Sequence, residues 1–249
     1  VAIGAWRQFR ALAAAADVIH YHFPWPMMDL LHLGFGLDRP SVVTYHSDVI
    51  KQQRLLRLYR PLMHRFLASV DHIVATSPQY YATSEVLRHY RDKTSIIPIG
   101  LERERPPVRP EVRRLWHERL GRDFFLFVGA PRYYKGMPYL VEAAQLANVR
   151  LVLAGVSAEF VGAGQDERIV SLGYVTDEDK EALFDLCRAV VLASHLRSEA
   201  YGLTLVEAAR AERAMICCEL GTGTTYVNAA DVTGMVVPPA DSAAMAASS

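Results

Sequence analysis

Two carboxylates eight positions apart bracket the run Ser198-Glu199-Ala200-Tyr201-Gly202-Leu203-Thr204-Leu205-Val206-Glu207. The run follows an apolar segment, 189–193, and passes into a helical pattern at Leu203, so it spans a loop-to-helix junction. The first N–H groups of a helix have no partner inside it, which makes such a junction an anion site. Gly202 would let the backbone approach a diphosphate. Glu207, two turns into the helix, is placed to accept both hydroxyls of a ribose, and Glu199 on the loop to hold hydroxyls of a sugar. The plainer alternative makes Glu199 a charge that complements the helix dipole and Glu207 a solvated helix residue.

Cations gather in a second stretch, Phe127-Val128-Gly129-Ala130-Pro131-Arg132-Tyr133-Tyr134-Lys135-Gly136, between a strand and a helix. Open α/β sheets bind ligands at the C-terminal ends of their strands, and Arg132 and Lys135 sit at one. Their charges suit a departing diphosphate. The glycine spacing and the Ser or Thr of a Walker loop are absent. The alternative is an ordinary loop with solvated cations.

His20 and His22 form a His-x-His pair at another strand end, and with His46 they admit a metal site of the amidohydrolase kind. That reading wants further ligands at later strand ends, whereas Asp71 and His72 lie at the start of theirs. Residues 49–70 carry Lys51, Arg54, Arg57, Arg60 and Arg65 with no acidic residue, interleaved with Leu55, Leu56, Leu58, Leu62 and Phe66. A basic amphipathic helix of this kind lies on an anionic membrane or holds a lipid diphosphate, unless its apolar face packs on a sheet and the cations are merely solvated.

The elements that must position these groups alternate. Short runs rich in Val, Ile and Phe at 18–21, 41–45, 72–75, 95–99, 124–128, 150–154, 189–193, 215–218 and 235–237 are spaced by helical patterns at 5–16, 53–68, 79–89, 111–120, 138–147, 177–187 and 203–211. That order predicts parallel sheets built from βα units. The charged, Pro-rich segment 101–110 lacks either periodicity and is the expected linker. With 249 residues, 51% of them hydrophobic, the chain can bury a real core.

Lys and Arg equal Asp and Glu at 27 each, which argues against a general nucleic-acid binder. The balance is uneven, with 13 basic against 9 acidic residues in 1–108 and 14 against 18 in 109–249. Cys187, Cys217 and Cys218 are odd in number and lack zinc spacing, as free thiols in a reducing compartment would be. No apolar run approaches the roughly 18 residues that span a bilayer.

Together the Glu199 to Glu207 and Gly129 to Gly136 stretches are similar to glycosyltransferase family 4, the retaining GT-B enzymes that use nucleotide sugars. In that family the second Glu of Glu-x7-Glu binds the nucleotide ribose, while the first and the amides after it meet the donor sugar. The resemblance thus assigns donor binding to Glu199, Gly202, Leu203, Thr204 and Glu207, and phosphate binding to Lys135. A frequent family Arg directly after the Gly would fall at Ala130, and Arg132 is read as its replacement. His46, in Pro40-Ser41-Val42-Val43-Thr44-Tyr45-His46-Ser47-Asp48, resembles the active-site His that contacts the transferred sugar. Val175, in Leu172-Gly173-Tyr174-Val175-Thr176-Asp177, falls in the loop whose backbone faces the base. The family's Gly-rich first loop would precede Val1 and its last helices would follow Ser249, so the first domain is expected to be incomplete.

The fold thus implied is α/β of the GT-B type, two facing Rossmann-like domains with parallel sheets, residues 1–108 on the acceptor side and 109–249 binding the nucleotide-sugar donor. The implied reaction moves a hexose, mannose from GDP-mannose in many surface-polysaccharide relatives, to a hydroxyl with retention. The leaving diphosphate takes the acceptor proton, and neither a metal nor another cofactor is expected. Implied partners are a nucleoside diphosphate sugar, a sugar or lipid-linked acceptor and an anionic membrane surface, on the cytoplasmic side of the plasma membrane. A GT-B sugar-nucleotide epimerase, which would need further acid and base groups, and a non-catalytic nucleotide-sugar-binding fragment are the alternatives.

Overall fold

The computed structural model describes residues 3–36, 39–49, 53–161 and 166–248. The chain divides into two compact units, Val1–Ile99 and Gly100–Ser249. In the first, α1 (Ile3–Ala15), β1 (Ile19–Phe23), α2 (Pro26–Phe35), β2 (Ser41–Tyr45), α3 (Gln53–Ser69), β3 (His72–Ala75), α4 (Pro78–Thr83) and β4 (Thr94–Ile96) follow one another, with a 3-10 turn at Leu87–Lys93. The four strands are parallel and lie in chain order, β1-β2-β3-β4. Alternation decides the faces of β1: Ile19, Tyr21 and Phe23 are buried, while His20 and His22 point outward.

Helix α3 buries Met63, Phe66 and Leu67 and is tied to α2 by a hydrogen bond from the Tyr59 hydroxyl to Asp29. Asp29 is itself buried, which pushes its carboxyl up to about 6. Leu55 and Leu58 of α3 are exposed. Lys51 lies outside the described residues, as does the Arg54 side chain. The single helix expected at 79–89 is broken at Ser84, which is extended, and whose hydroxyl donates to Asp48 instead of remaining on a helix face.

The second unit contains α5 (Pro110–Leu120), β5 (Phe125–Val128), α6 (Met137–Ala147), β6 (Leu151–Ala154), α7 (Ala158–Val161), β7 (Ile169–Gly173), α8 (Asp177–Leu186), β8 (Ala189–Leu192), α9 (Leu203–Arg210), β9 (Ala214–Cys218), α10 (Thr224–Val227), β10 (Gly234–Val237) and α11 (Ser242–Ala247). Its six parallel strands take the order β10-β9-β8-β5-β6-β7. Every residue of β6 and β8 is buried, as a sheet covered on both faces requires. One core layer packs Trp116, Leu183, Phe184 and Leu205 against the sheet; the other packs Leu140, Ala144 and Met245. The three thiols are free and buried, and burial pushes Cys187 and Cys218 up to about 12 and Cys217 to about 11.

The segment expected as a linker has no regular structure between β4 and α5. Arg105 nevertheless anchors it to α8, donating to Glu181 and Asp185 at 2.8 Å each. Glu181 is 1% exposed and also receives Arg210 of α9, so its buried charge is met by two guanidinium groups.

Candidate active site

In the second sheet the chain starts at β5, builds outward through β6 and β7, then returns to place β8 on the other side of β5. The neighbours β5 and β8 therefore form a topological switch point, and their following loops diverge to leave a crevice at the strand C-termini. Both stretches singled out by residue chemistry leave the sheet here.

After β5 the backbone makes a short 3-10 turn, Tyr133–Lys135, and enters α6 through Gly136 at φ +67°. A Cβ on Gly136 would stand 2.0 Å from the Ala193 carbonyl oxygen, so only glycine lets the turn close against the end of β8. The His195 amide then donates to the Tyr134 carbonyl at 2.9 Å. This closure brings the Lys135 ammonium 2.5 Å from Glu199 Oε2. The same oxygen accepts the Ser194 hydroxyl at 3.0 Å. Lys135 and Glu199 are only 13% and 11% exposed, so the pair is a preorganised, largely desolvated feature and Glu199 is no surface dipole charge.

The Glu199 loop is fixed from behind. Thr222, fully buried, donates to the Glu199 carbonyl at 2.8 Å, and the Gly223 amide donates to the Ala200 carbonyl at 2.8 Å. Gly202, at φ +82°, opens α9 with no side-chain cap, which leaves the amides at Leu203 and Thr204 for an outside anion. The Thr204 hydroxyl, 3.4 Å from the Val128 carbonyl, places that helix start against the end of β5.

Glu207 is not a freely solvated carboxylate. Its Oε1 accepts Lys180 of α8 at 2.7 Å, and Lys180 also meets Asp177 at 3.1 Å. Burial works against the Lys180 ammonium, but its bonds to Glu207 and Asp177 outweigh that and hold its pKa above the ordinary range. With Oε1 engaged, Oε2 is the oxygen left for a ribose hydroxyl. Val175 is half-buried against the core layer that contains Leu183, in the loop that Lys180 ties to α9. Arg132 is exposed and has no side-chain partner among the described residues.

His46 belongs to the first unit, one residue beyond β2. Its amide continues the ladder to the Phe23 carbonyl at 2.9 Å, and its Nε2 shares a hydrogen bond of 2.8 Å with His22 Nδ1. His20 Nε2 is bonded to the Thr44 hydroxyl at 2.8 Å. These nitrogens are committed to each other and to Thr44, and among the described residues no group of three or more His, Cys, Asp or Glu is arranged to hold a metal ion.

Burial first, then His22 and His20, hold His46 below the ordinary imidazole range, and burial and His22 do the same for His20. Folding therefore disfavours their protonation. The stability they contribute is complete above about pH 6.5 and is lost as the pH falls through their folded values. His32 and His64 shift the same way, while Asp29 opposes them. The melting temperature is expected to fall between about pH 7 and about pH 5.5, and His46→Gln to flatten the slope. An identical slope in the variant would remove His46 from the set of groups that govern it.

Ser194, Thr222, Lys180 and Gly136 do not stand out by residue type and spacing. Thr222, Lys180 and Gly136 act through contacts between segments far apart in the chain, whereas Ser194 bonds Glu199 within one loop; only the Lys-Gly pair at 135–136 carries any local signal.

The model for glycosyl transferases group 1 matches residues 108–249, and that for Glycosyltransferase Family 4 matches residues 1–105. The chain belongs to this glycosyltransferase family. It is 51% identical to D-rhamnosyltransferase WbpZ of Pseudomonas aeruginosa over 97% of its length, and 49% identical to O-antigen chain mannosyltransferase C of Escherichia coli, also over 97%. It spans 65% and 67% of those two relatives. The crystal structure of Anabaena Alr3699/HepE in complex with UDP superposes with a TM-score of 0.77 at 19% identity, covering 97% of this chain and 70% of that one. The two Rossmann-like units, with parallel sheets of four and six strands, are those of the GT-B fold.

Proposed function

We propose that this glycosyltransferase chain supplies the donor site, and part of the acceptor side, of a retaining hexosyltransferase. The observation that carries the reading is the Lys135–Glu199 pair at the β5/β8 switch point, next to the uncapped start of α9. In the reaction a nucleoside diphosphate lies with its phosphates toward Lys135 and the amides of Leu203 and Thr204. Its ribose meets Glu207 Oε2, and its base meets the backbone near Val175. The hexose lies by Glu199, with Arg132 adding charge to the phosphates.

Charge grows on the diphosphate as the glycosidic bond breaks, so a fixed ammonium and two amides stabilise the transition state more than the ground state. The departing phosphate takes the proton of the attacking hydroxyl, which enters on the face that the phosphate leaves, and the anomeric configuration is retained. The charge on the diphosphate is met by protein groups, and no metal enters the scheme. The donor nucleotide is supported by the UDP in the HepE complex. Transfer of a hexose such as mannose to a polysaccharide acceptor such as an O-antigen chain is supported by the rhamnosyl- and mannosyltransferase relatives; GDP-mannose as donor and a lipid-linked acceptor are part of the proposal. Incubating GDP-mannose with a mannoside acceptor should release GDP and give a product whose anomeric proton shows the donor's configuration. An inverted product would refute retention, and absence of transfer with any nucleotide sugar would leave a binding fragment.

A membrane-bound acceptor is supported by α3, where Leu58, 79% exposed, and Leu55 share the outer surface with Arg57, Arg60 and Arg65. Among the described residues no helix is long and apolar enough to cross a membrane, so contact would be at the surface. Each Arg near an anionic leaflet contributes on the order of 1 kcal/mol before screening. Arg57→Gln with Arg60→Gln is expected to reduce sedimentation with anionic vesicles about tenfold or more. If the wild-type chain ignores such vesicles at low salt, the acceptor is not met through α3.

A further inference from the structure

Beside the Lys135 turn lies a recess of about 420 Å³ that the donor scheme meets only at Arg132, on its edge. We propose that it is a saccharide subsite, holding one pyranose ring of the acceptor chain; this rests on the glycosyl-transfer reading above. Its walls are Tyr133, Tyr139 and His195, with Arg132 at the edge and Pro131, Met137 and Pro138 completing the lining. Ligand sites range over about 300 to 1,000 Å³, so this one suits a single ring.

The wall has a built geometry. Both tyrosine rings meet the His195 imidazole edge to face, with centroids 5.2 and 5.3 Å apart and interplanar angles of 76° and 67°. Such pairing fixes ring orientation. His195 Nδ1 is buried beside Gly136 with no partner among the described residues, so Nε2 is the imidazole nitrogen left to meet a ligand hydroxyl. Tyr133 packs on His195 yet is 74% exposed, so its ring is open to a ligand.

These features match a pyranose, which has an apolar C–H face for an aromatic ring and hydroxyls for Arg132 and His195. A phosphate would want more donors than one guanidinium and one imidazole. The position fits as well. Tyr133 belongs to the turn that carries Lys135, and His195 follows Ser194, which holds Glu199. The recess and the Glu199 carboxylate are thus held by neighbouring residues of the same two loops.

Saturation-transfer NMR of the 249-residue chain with methyl α-D-mannopyranoside and an α-linked mannotriose tests this. Ring protons should receive saturation from the wild type. Tyr133→Ala and Tyr139→Ala should each weaken binding about fivefold while leaving GDP and UDP binding unchanged. Tyr133 is exposed enough for its variant to fold, and nucleotide binding reports the fold of both. No transfer to the wild type, equal affinity in Tyr133→Ala, or preferential occupation by decyl phosphate would overturn the subsite. If saccharide fails while nucleotides bind, only the subsite falls; if nucleotides fail as well, the donor reading falls with it.

Discussion

Replacing Lys135 by Met is expected to lower turnover about 10²- to 10³-fold, with a smaller effect on ground-state nucleotide binding. It should also lower stability, because Glu199 would be left largely buried without its cation. Removing one partner of a buried pair costs about 3 to 5 kcal/mol, at the lower end here because both groups keep some solvent contact. The double variant Lys135→Met/Glu199→Gln separates the two effects. It exchanges an ion pair for neutral groups of similar volume and should recover most of the stability, since Ser194 can still donate to the side-chain amide oxygen that replaces the carboxylate. Turnover should stay low. Recovery of both stability and turnover would mean that the pair is only structural.

Gly136→Ala is expected to have the largest effect on folding. The added methyl would meet the Ala193 carbonyl carbon and oxygen at 3.0 and 2.0 Å, both backbone atoms, at a φ that L residues rarely adopt. The left-handed conformation costs about 1 to 2 kcal/mol and forced backbone displacement about 1 to 3 more. For a unit of about 150 residues, that lowers the melting temperature by roughly 10 °C. Because the same approach seats Lys135 on Glu199, residual folded protein should also lose transfer. A thermal melt within a degree or two of wild type, on the scale expected for an exposed surface change, would show that the turn does not need this contact.

The parts of the fold legible in the sequence are those whose residues report their own surroundings. The strands at 41–45 and 72–75 agree with the sequence pattern to the residue, and β8 nearly so: β8 is the unbroken apolar run of a strand buried on both faces, while 41–45 is rich in β-branched residues and alternates buried with half-buried positions. Strand β7 escapes that pattern: it lies at a sheet edge, only Ile169 is buried, and its sequence reads as half polar. Helix α2 escapes it because it is apolar over much of its circumference and buries Asp29 and His32, which masks the helical period. Ser84 ends α4 through a hydrogen bond to Asp48, 36 residues away, a contact that no local pattern announces.

The site divides in the same way. Glu199, Gly202, Glu207 and Lys135 stand out because carboxylates, a glycine and a cation at loop-to-helix junctions suggest a diphosphate and sugar on their own. Their partners do not. Lys180 acquires its role only when α8 lies beside α9, and Ser194 only when the loop after β8 folds back to bring Glu199 onto its hydroxyl. The bond from Lys180 to Glu207 Oε1 joins two helices, and no local pattern announces it.

The central claim is that the β5/β8 crevice binds a nucleoside diphosphate through Glu207. Calorimetric titration of GDP and UDP into the wild-type chain and into Glu207→Ala tests it most directly. A charged hydrogen bond of about 1.5 to 3 kcal/mol is at stake, so at least one nucleotide should bind the wild type, and the variant should bind it about ten- to a hundredfold more weakly. Equal affinity for wild type and variant, or no heat of binding with either nucleotide, would contradict it.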